Sequence, residues 1–302
     1  MGNGISILVS QYTGSGDMDH QRLVVKNAVT FLYLCAVPLT VVGFFFGPLL
    51  LKIMNVPPEA WDLAVSYVQV LFLGTLGNLG YNVNAGIMRG VGDSRATLRF
   101  LFISCAVNIV LDLLFVGALG MGVGAAAIAT TLSQGLSAAM CFIHLLRLDG
   151  PGKIDVRKIR FHPESLRTII RLGLPSGIQN SVIAIANVVV QANINSFGKE
   201  AMAGCGAYSK LEGFAFLPIT CFSQALSTFV GQNLGAHKHE RVKKGVAFGI
   251  ACSCIAAEII GILSYLFAPH LIRLFNAEPS VIDYGVRHMR TICLFYFLLA
   301  FS

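Results

Sequence analysis

The chain has 302 residues, 55% of them apolar and only 12% charged, with a net charge of +7 and a mean hydropathy of +0.71. Soluble domains carry about 25% charged residues, so half of the usual solvating charge is missing and the composition belongs to the membrane class. The positive balance does not mark a nucleic-acid binder, because the lysines and arginines sit in short connections between apolar runs and not on one soluble face.

In chain order, a short apolar piece over residues 1–12 precedes segments long enough to cross a bilayer, about 20 residues each. They fall at 27–51, 60–87, 98–119, 122–146, 173–197, 201–231, 245–272 and 281–302, separated by turn formers and charges such as NVPPE, RGVGDSR and GAHKHE. The reading is an all-α polytopic membrane protein. Alternate connections hold two, three, seven and four lysines and arginines, sixteen in all, from Arg22 to Lys244, against three (Lys52, Lys199 and Arg273) on the other side. The positive-inside bias makes the first set cytoplasmic and predicts a multi-pass protein of the cell inner (plasma) membrane. The eight cysteines form no CxxC or Cys/His ligand spacing and read as small hydrophobes in a bundle.

The longest connection organises the chain into a first bundle over 1–147, a cytoplasmic linker over 148–172 and a second bundle over 173–302. Within the linker, Pro163 and Glu164 followed by apolar residues at 166, 169, 170 and 172 predict a helix start. A short amphipathic helix on the membrane surface is expected there, with Arg167 and Arg171 toward lipid headgroups.

The two bundles are related by an internal repeat. Shifted by 221 positions without gaps, Phe46, Pro48, Asn55, Pro58 and Asp62 fall on Phe267, Pro269, Asn276, Pro279 and Asp283, and Val9, Gln11 and Gly14 on Val230, Gln232 and Gly235. Both copies enter from the same side, so the repeat is parallel, a transporter architecture with the substrate path between pseudo-symmetric halves. By this offset the first bundle is incomplete at its start by about 56 residues and the second at its end by about 66.

One carboxylate stands out inside the span LFISCAVNIVLDLLFVGAL. Ser104, Asn108 and Asp112 are spaced i, i+4, i+8 and share a helix face. A lipid-facing aspartate costs about 2.5–3.5 kcal/mol, so this stripe is expected to face the bundle interior. Two readings stay open from the spacing: an interhelical hydrogen-bond staple, or a cation or proton site. Further polar stripes are Asn78, Tyr81 and Asn82 in one segment, and Asn180, Asn187, Gln191 and Asn195 in another. Uncharged amides of this kind suit a wet substrate pathway; packing staples are the rival reading. The roles of Glu258, Lys210 and Glu212 stay open. GMGVGAAA (120–127) lacks the spacing and the preceding strand of a dinucleotide loop and reads as an outer turn plus a small-residue packing face. No nucleophile–base arrangement is present in the sequence, and no enzyme activity or cofactor is expected.

RGVGDSR (89–95) followed by NIVLD (108–112), and GLPSGIQNS (173–181) followed by VGQNLGAHKHER (230–241), resemble the multidrug and toxic compound extrusion (MATE) transporters, over essentially the whole chain. The resemblance implies two six-helix lobes, of whose twelve transmembrane helices about nine would be present, from late in helix two to within helix ten. It implies export of small-molecule organic cations or drugs coupled to inward Na+ or H+ flow, with the protein a monomer in the lipid bilayer. It also implies a cation site in the first lobe made by Asp112 and Asn108, with Asn82 of helix four and Thr130 of the next helix, and a further aspartate from helix one. Metal binding would be limited to Na+ at Asp112. The acid that some members carry in helix seven is replaced here by Ile183. Two alternatives are a flippase for lipid-linked oligosaccharides or lipid precursors, which would need cations along its cleft, and a fragment without transport activity of its own.

Overall fold

The structure is a computed structural model, described for residues 2–53, 58–148 and 163–299. Among the described residues every regular element is helical, as hydrocarbon demands of a chain whose backbone groups must pair within their own segment. The elements are α1 (Gly2–Ser15), α2 (Met18–Ile53), α3 (Pro58–Leu73), α4 (Thr75–Val91), α5 (Ser94–Asp112), α6 (Val123–Arg147), α7 (Pro163–Ser196), α8 (Lys199–Gly235), α9 (His239–Arg273), α10 (Pro279–Cys293) and α11 (Tyr296–Leu299). Six described helices are long and apolar enough to cross a membrane, and α3 with α4 form a seventh span broken by a 42° bend. Large apolar side chains cover the outside, Phe102 being 76% exposed, which fits lipid and not water as the surrounding medium.

The chain divides into two compact units, residues 1–176 and 177–302. In the first, α1, α2, α4, α6 and the start of α7 share one core around Ile5, Val9, Val25, Ile87, Leu145 and Ile169. The short apolar piece at the start of the chain is therefore a central element of this core, with Gly4 to Ser6 and Leu8 to Ser10 buried. The separate surface helix expected before residue 173 is instead the opening of α7, which runs on without interruption. Its inner side is held by Ile169 in the core and by Gly173, whose backbone nitrogen lies 2.8 Å from where a Cβ on Gly4 would sit. Arg167 and Arg171 are exposed. The rest of the expected linker, residues 149–162, lies outside the described residues.

The repeat is carried by the element boundaries. α2, α3 and α4 begin at Met18, Pro58 and Thr75; α9, α10 and α11 begin at His239, Pro279 and Tyr296, each 221 positions further on. Even the break after Leu73 has its counterpart, between Cys293 and Tyr296. The two copies differ at their caps. Asp17, before α2, accepts the His20 N–H through Oδ1 at 3.1 Å, as an N-cap does, and this bond holds its carboxyl below the usual range. Lys238, in the same place before α9, provides no side-chain cap.

Two local features set the positions of α4, α5 and α6. The first is a close approach: a Cβ on Gly77 would lie 2.9 Å from the Gly135 backbone nitrogen, so α4 and α6 meet nearly backbone to backbone. The second is the turn RGVGDSR. Gly92 takes φ +99° and closes α4 through N–H bonds to Met88 and Arg89 carbonyls, a conformation that favours glycine. Asp93 then caps α5 by accepting the Ala96 N–H at 3.1 Å, and its other oxygen lies 2.9 Å from His144 Nε2 near the end of α6. The His144 ring packs edge-on against Phe100.

Gly77→Ala is expected to push α4 from α6 and to cost about 1–3 kcal/mol. Gly135→Ala, whose Cβ would meet nothing within 4 Å, is expected to be neutral or to stabilise by up to about 1 kcal/mol. Thermal unfolding in detergent compares the two. By the same measurement, Asp93→Ala is expected to cost about 1 kcal/mol through loss of the cap, and Asp93→Asn, which keeps a cap acceptor, less.

Candidate cation site

The site is built on α5, which leaves the α-helical register directly after Asp112. Residues Leu113–Ala118 form a π-helical stretch, closed by the Leu119 N–H donating to the Leu114 carbonyl at 2.9 Å. Such wide turns insert a residue into a helix and are frequent at functional positions. Upstream, the three-residue stripe faces inward. Ser104 is buried and its hydroxyl donates to the Ser133 carbonyl of α6 at 2.5 Å, while Phe102, Val110 and Leu113 are exposed.

One and two turns beyond Ser104, Asn108 Nδ2 and Asp112 Oδ1 are both buried, and neither has a hydrogen-bond partner among the described residues. Leaving one such atom unsatisfied costs about 1–3 kcal/mol, more for a charged group. The amide of Asn108 can be turned about its last torsion to exchange nitrogen for oxygen, which would set an amide oxygen beside a carboxylate oxygen. Oxygen donors of this kind suit a hard cation; the lone carboxylate also suits a proton.

The other candidate residues are placed less tightly. α4, which bears Asn82, and α5 both pack on α6, which bears Thr130. Asn82 is exposed and donates through Nδ2 to the Asn78 carbonyl at 2.9 Å and to Asn78 Oδ1 at 3.0 Å. Thr130 donates to the Ala126 carbonyl of its own helix at 2.9 Å. Among the described residues neither side chain hydrogen-bonds to Asp112. Of the stripe on α4, Asn78 and Asn82 are exposed, whereas Tyr81 packs against the first unit's core. Asn180, Asn187 and Gln191 lie on a stretch of α7, residues 177–193, that is exposed on every face.

Two polar residues of the first unit escaped the sequence reading. Asn84 is buried, donates to the Ala138 carbonyl of α6 at 3.4 Å, and leaves its own Oδ1 without a partner. It lies in the glycine-rich end of α4, off the face of Asn78 and Asn82, so spacing did not select it. Ser133 receives α5 only through its backbone carbonyl, a role that residue type does not reveal.

The cations of the second unit are engaged locally. Lys210 Nζ lies 5.8 Å from the Phe275 ring centre, Arg287 pairs with Asp283 at 2.9 Å, and Arg290 stacks on Tyr265 at 5.1 Å and donates to its carbonyl. Glu258 accepts the Phe297 N–H at 3.2 Å, capping the helix that restarts after the break.

With this geometry in place, comparisons with known proteins are informative. Residues 1–114 and 175–302 match the MatE family model. The chain is similar to a probable multidrug resistance protein, YpnP, of Bacillus subtilis, at 29% identity over 98% of this chain and 66% of the relative. It is similar to a probable multidrug resistance protein, NorM, of Thermotoga maritima, at 29% identity over 98% of this chain and 65% of the relative. Among solved structures, a MOP superfamily transporter from Pyrococcus furiosus superposes on 99% of this chain and 68% of its own length, with a TM-score of 0.93 and 25% identity. The chain thus spans slightly under two thirds of the length of these curated relatives. Matched by the family model over both units, and sharing its helical framework with a solved transporter, the chain belongs to the MatE family, a family of transporters and not of enzymes.

Proposed function

We propose that the protein to which this chain belongs is a cation-coupled antiporter that exports small organic cations or drugs by alternating access. The observation that carries this reading is the buried, unpartnered carboxylate oxygen of Asp112 beside the unpartnered amide of Asn108. Asp112 takes up Na+ or a proton, Asn108 provides the adjacent amide, and Asn82 and Thr130 complete the site from the helices around α6. Binding neutralises a charge at the junction of α5 and its π-helical stretch, and so biases that junction between two arrangements. The difference in ion affinity between those arrangements is the coupling free energy that changes affinity for the exported molecule.

Asn78 and Tyr81 of the first unit, with Asn180, Asn187 and Gln191 of the second, line the substrate path with groups that hydrogen-bond a cargo and then release it. The protein acts in the plasma membrane as a monomer, with the 148–172 connection in the cytoplasm. The rival flippase reading needs free cations for phosphate headgroups; Lys210, Arg287 and Arg290 each already have a ring or carboxylate partner, which favours export of cations.

The test is uptake of a fluorescent cationic dye by inverted vesicles carrying the full-length protein. Asp112→Asn is expected to lower ion-driven uptake at least about tenfold, corresponding to roughly 1.4 kcal/mol of lost coupling, and Asn108→Ala to weaken the dependence on ion concentration. Undiminished ion-driven uptake in Asp112→Asn would overturn the assignment.

A further inference from the structure

The second unit holds a buried polar network that the cation site does not use. Tyr208 of α8 and Tyr296 of α11 are 1% and 2% exposed, and their hydroxyl oxygens lie 3.2 Å apart in a bond either can donate. The Tyr208 hydroxyl also donates to Glu212 Oε1, one turn further along α8, at 2.7 Å. The His288 ring of α10 packs edge-on against Tyr208, with centroids 4.8 Å apart. A carboxylate, two phenols and an imidazole thus meet where α8, α10 and α11 join, inside an otherwise apolar body.

The other charged groups of the packed helices face elsewhere. Arg290 lies on Tyr265 of α9, Arg287 on Asp283, Lys210 on Phe275, and Glu258 of α9 on the Phe297 N–H. No cation therefore balances Glu212 in this network, although an ionisable residue inside a membrane protein is expensive unless it has a role.

We propose that Glu212 is a proton-binding site of the second unit, distinct from Asp112, and that Tyr208 and Tyr296 carry its charge state to the break between α10 and α11. A proton suits the network better than a metal ion, because the hydroxyls are spent on hydrogen bonds between themselves and the acid and do not converge on a common point. When Glu212 is ionised, Tyr208 donates to it and accepts from Tyr296. When Glu212 takes one proton, its new O–H can donate to Tyr208 Oη, and Tyr208 turns its own hydrogen to Tyr296. One proton enters, no other bond to a heavy atom changes, and the direction of both hydrogen bonds reverses. Tyr296 is the first residue of α11, so the reversal ends at the point where the helix restarts.

The test is infrared difference spectroscopy of the purified 302-residue chain in detergent, titrated between about pH 4 and pH 8, the range in which shifted carboxyls protonate. A carboxyl C=O stretching band should grow on acidification, vanish in Glu212→Gln, and persist in Asp112→Asn and Glu258→Gln. Imidazole has no such band, so His288 does not contribute. Tyr208→Phe removes a hydrogen bond to the charged form and should move the midpoint upward by about one pH unit, a tenfold gain in proton affinity. Tyr296→Phe keeps the Tyr208–Glu212 bond and should move it less. A band unaffected by Glu212→Gln, or a midpoint that fails to rise in Tyr208→Phe, overturns the proposal. If Glu212→Gln does not fold, the Tyr208→Phe titration decides. Because the band is read without transport and in the presence of Asp112→Asn, failure of the antiport reading and failure of this one are separate results.

Discussion

In hydrocarbon, a polar atom that finds no partner inside the protein finds none at all, and this condition explains most of what the chain does with its few polar side chains. Ser104, Ser133 and Thr130 all turn their hydroxyls onto backbone carbonyls. Asp93 satisfies a helix terminus and an imidazole together. Against that background, the unpartnered atoms of Asn108, Asp112 and Asn84 are the exceptions, and exceptions to this rule mark places where something other than the fold supplies the partner.

The repeat gives each exception a reference. Two copies with element starts 221 residues apart have the same helices and the same break, so differences between them reflect what each half does and not how it folds. Glu258 stabilises the restart of the helix in the second unit, whereas the position 221 residues earlier is Val37, with no polar atom to offer. Asp17 caps α2 where Lys238 leaves α9 uncapped. The first unit keeps its carboxylate on α5 beside a π-helical stretch, and the second keeps Glu212 in a bonded network against the break. The halves share a scaffold and differ in where the charge sits on it.

Much of this was legible along the chain. Hydropathy and turn residues located the spans, Pro163 marked the start of α7, and the i, i+4, i+8 spacing of Ser104, Asn108 and Asp112 placed them on one inward face. The bend at Gly74 was not legible, because a glycine in an apolar run reads equally as a small packing residue. The central place of α1 was missed for a related reason: fourteen mildly apolar residues are too few for a span, and only their burial among α2, α4 and α7 shows their role.

The amino-acid sequence by itself determined the medium, the helical class, the orientation from sixteen cytoplasmic cations against three, the two-fold repeat and the polar face of α5. These all follow from periodicity and composition, which act within one helix or over whole segments. Tertiary structure alone decided which polar atoms find partners. Tyr208 and Tyr296 are 88 residues apart along the chain, and Ser104 meets Ser133 across a helix interface. Contacts between helices depend on how each is rotated about its axis, and that rotation is set by packing, such as the close approach of Gly77 to Gly135, which no spacing along a single helix encodes.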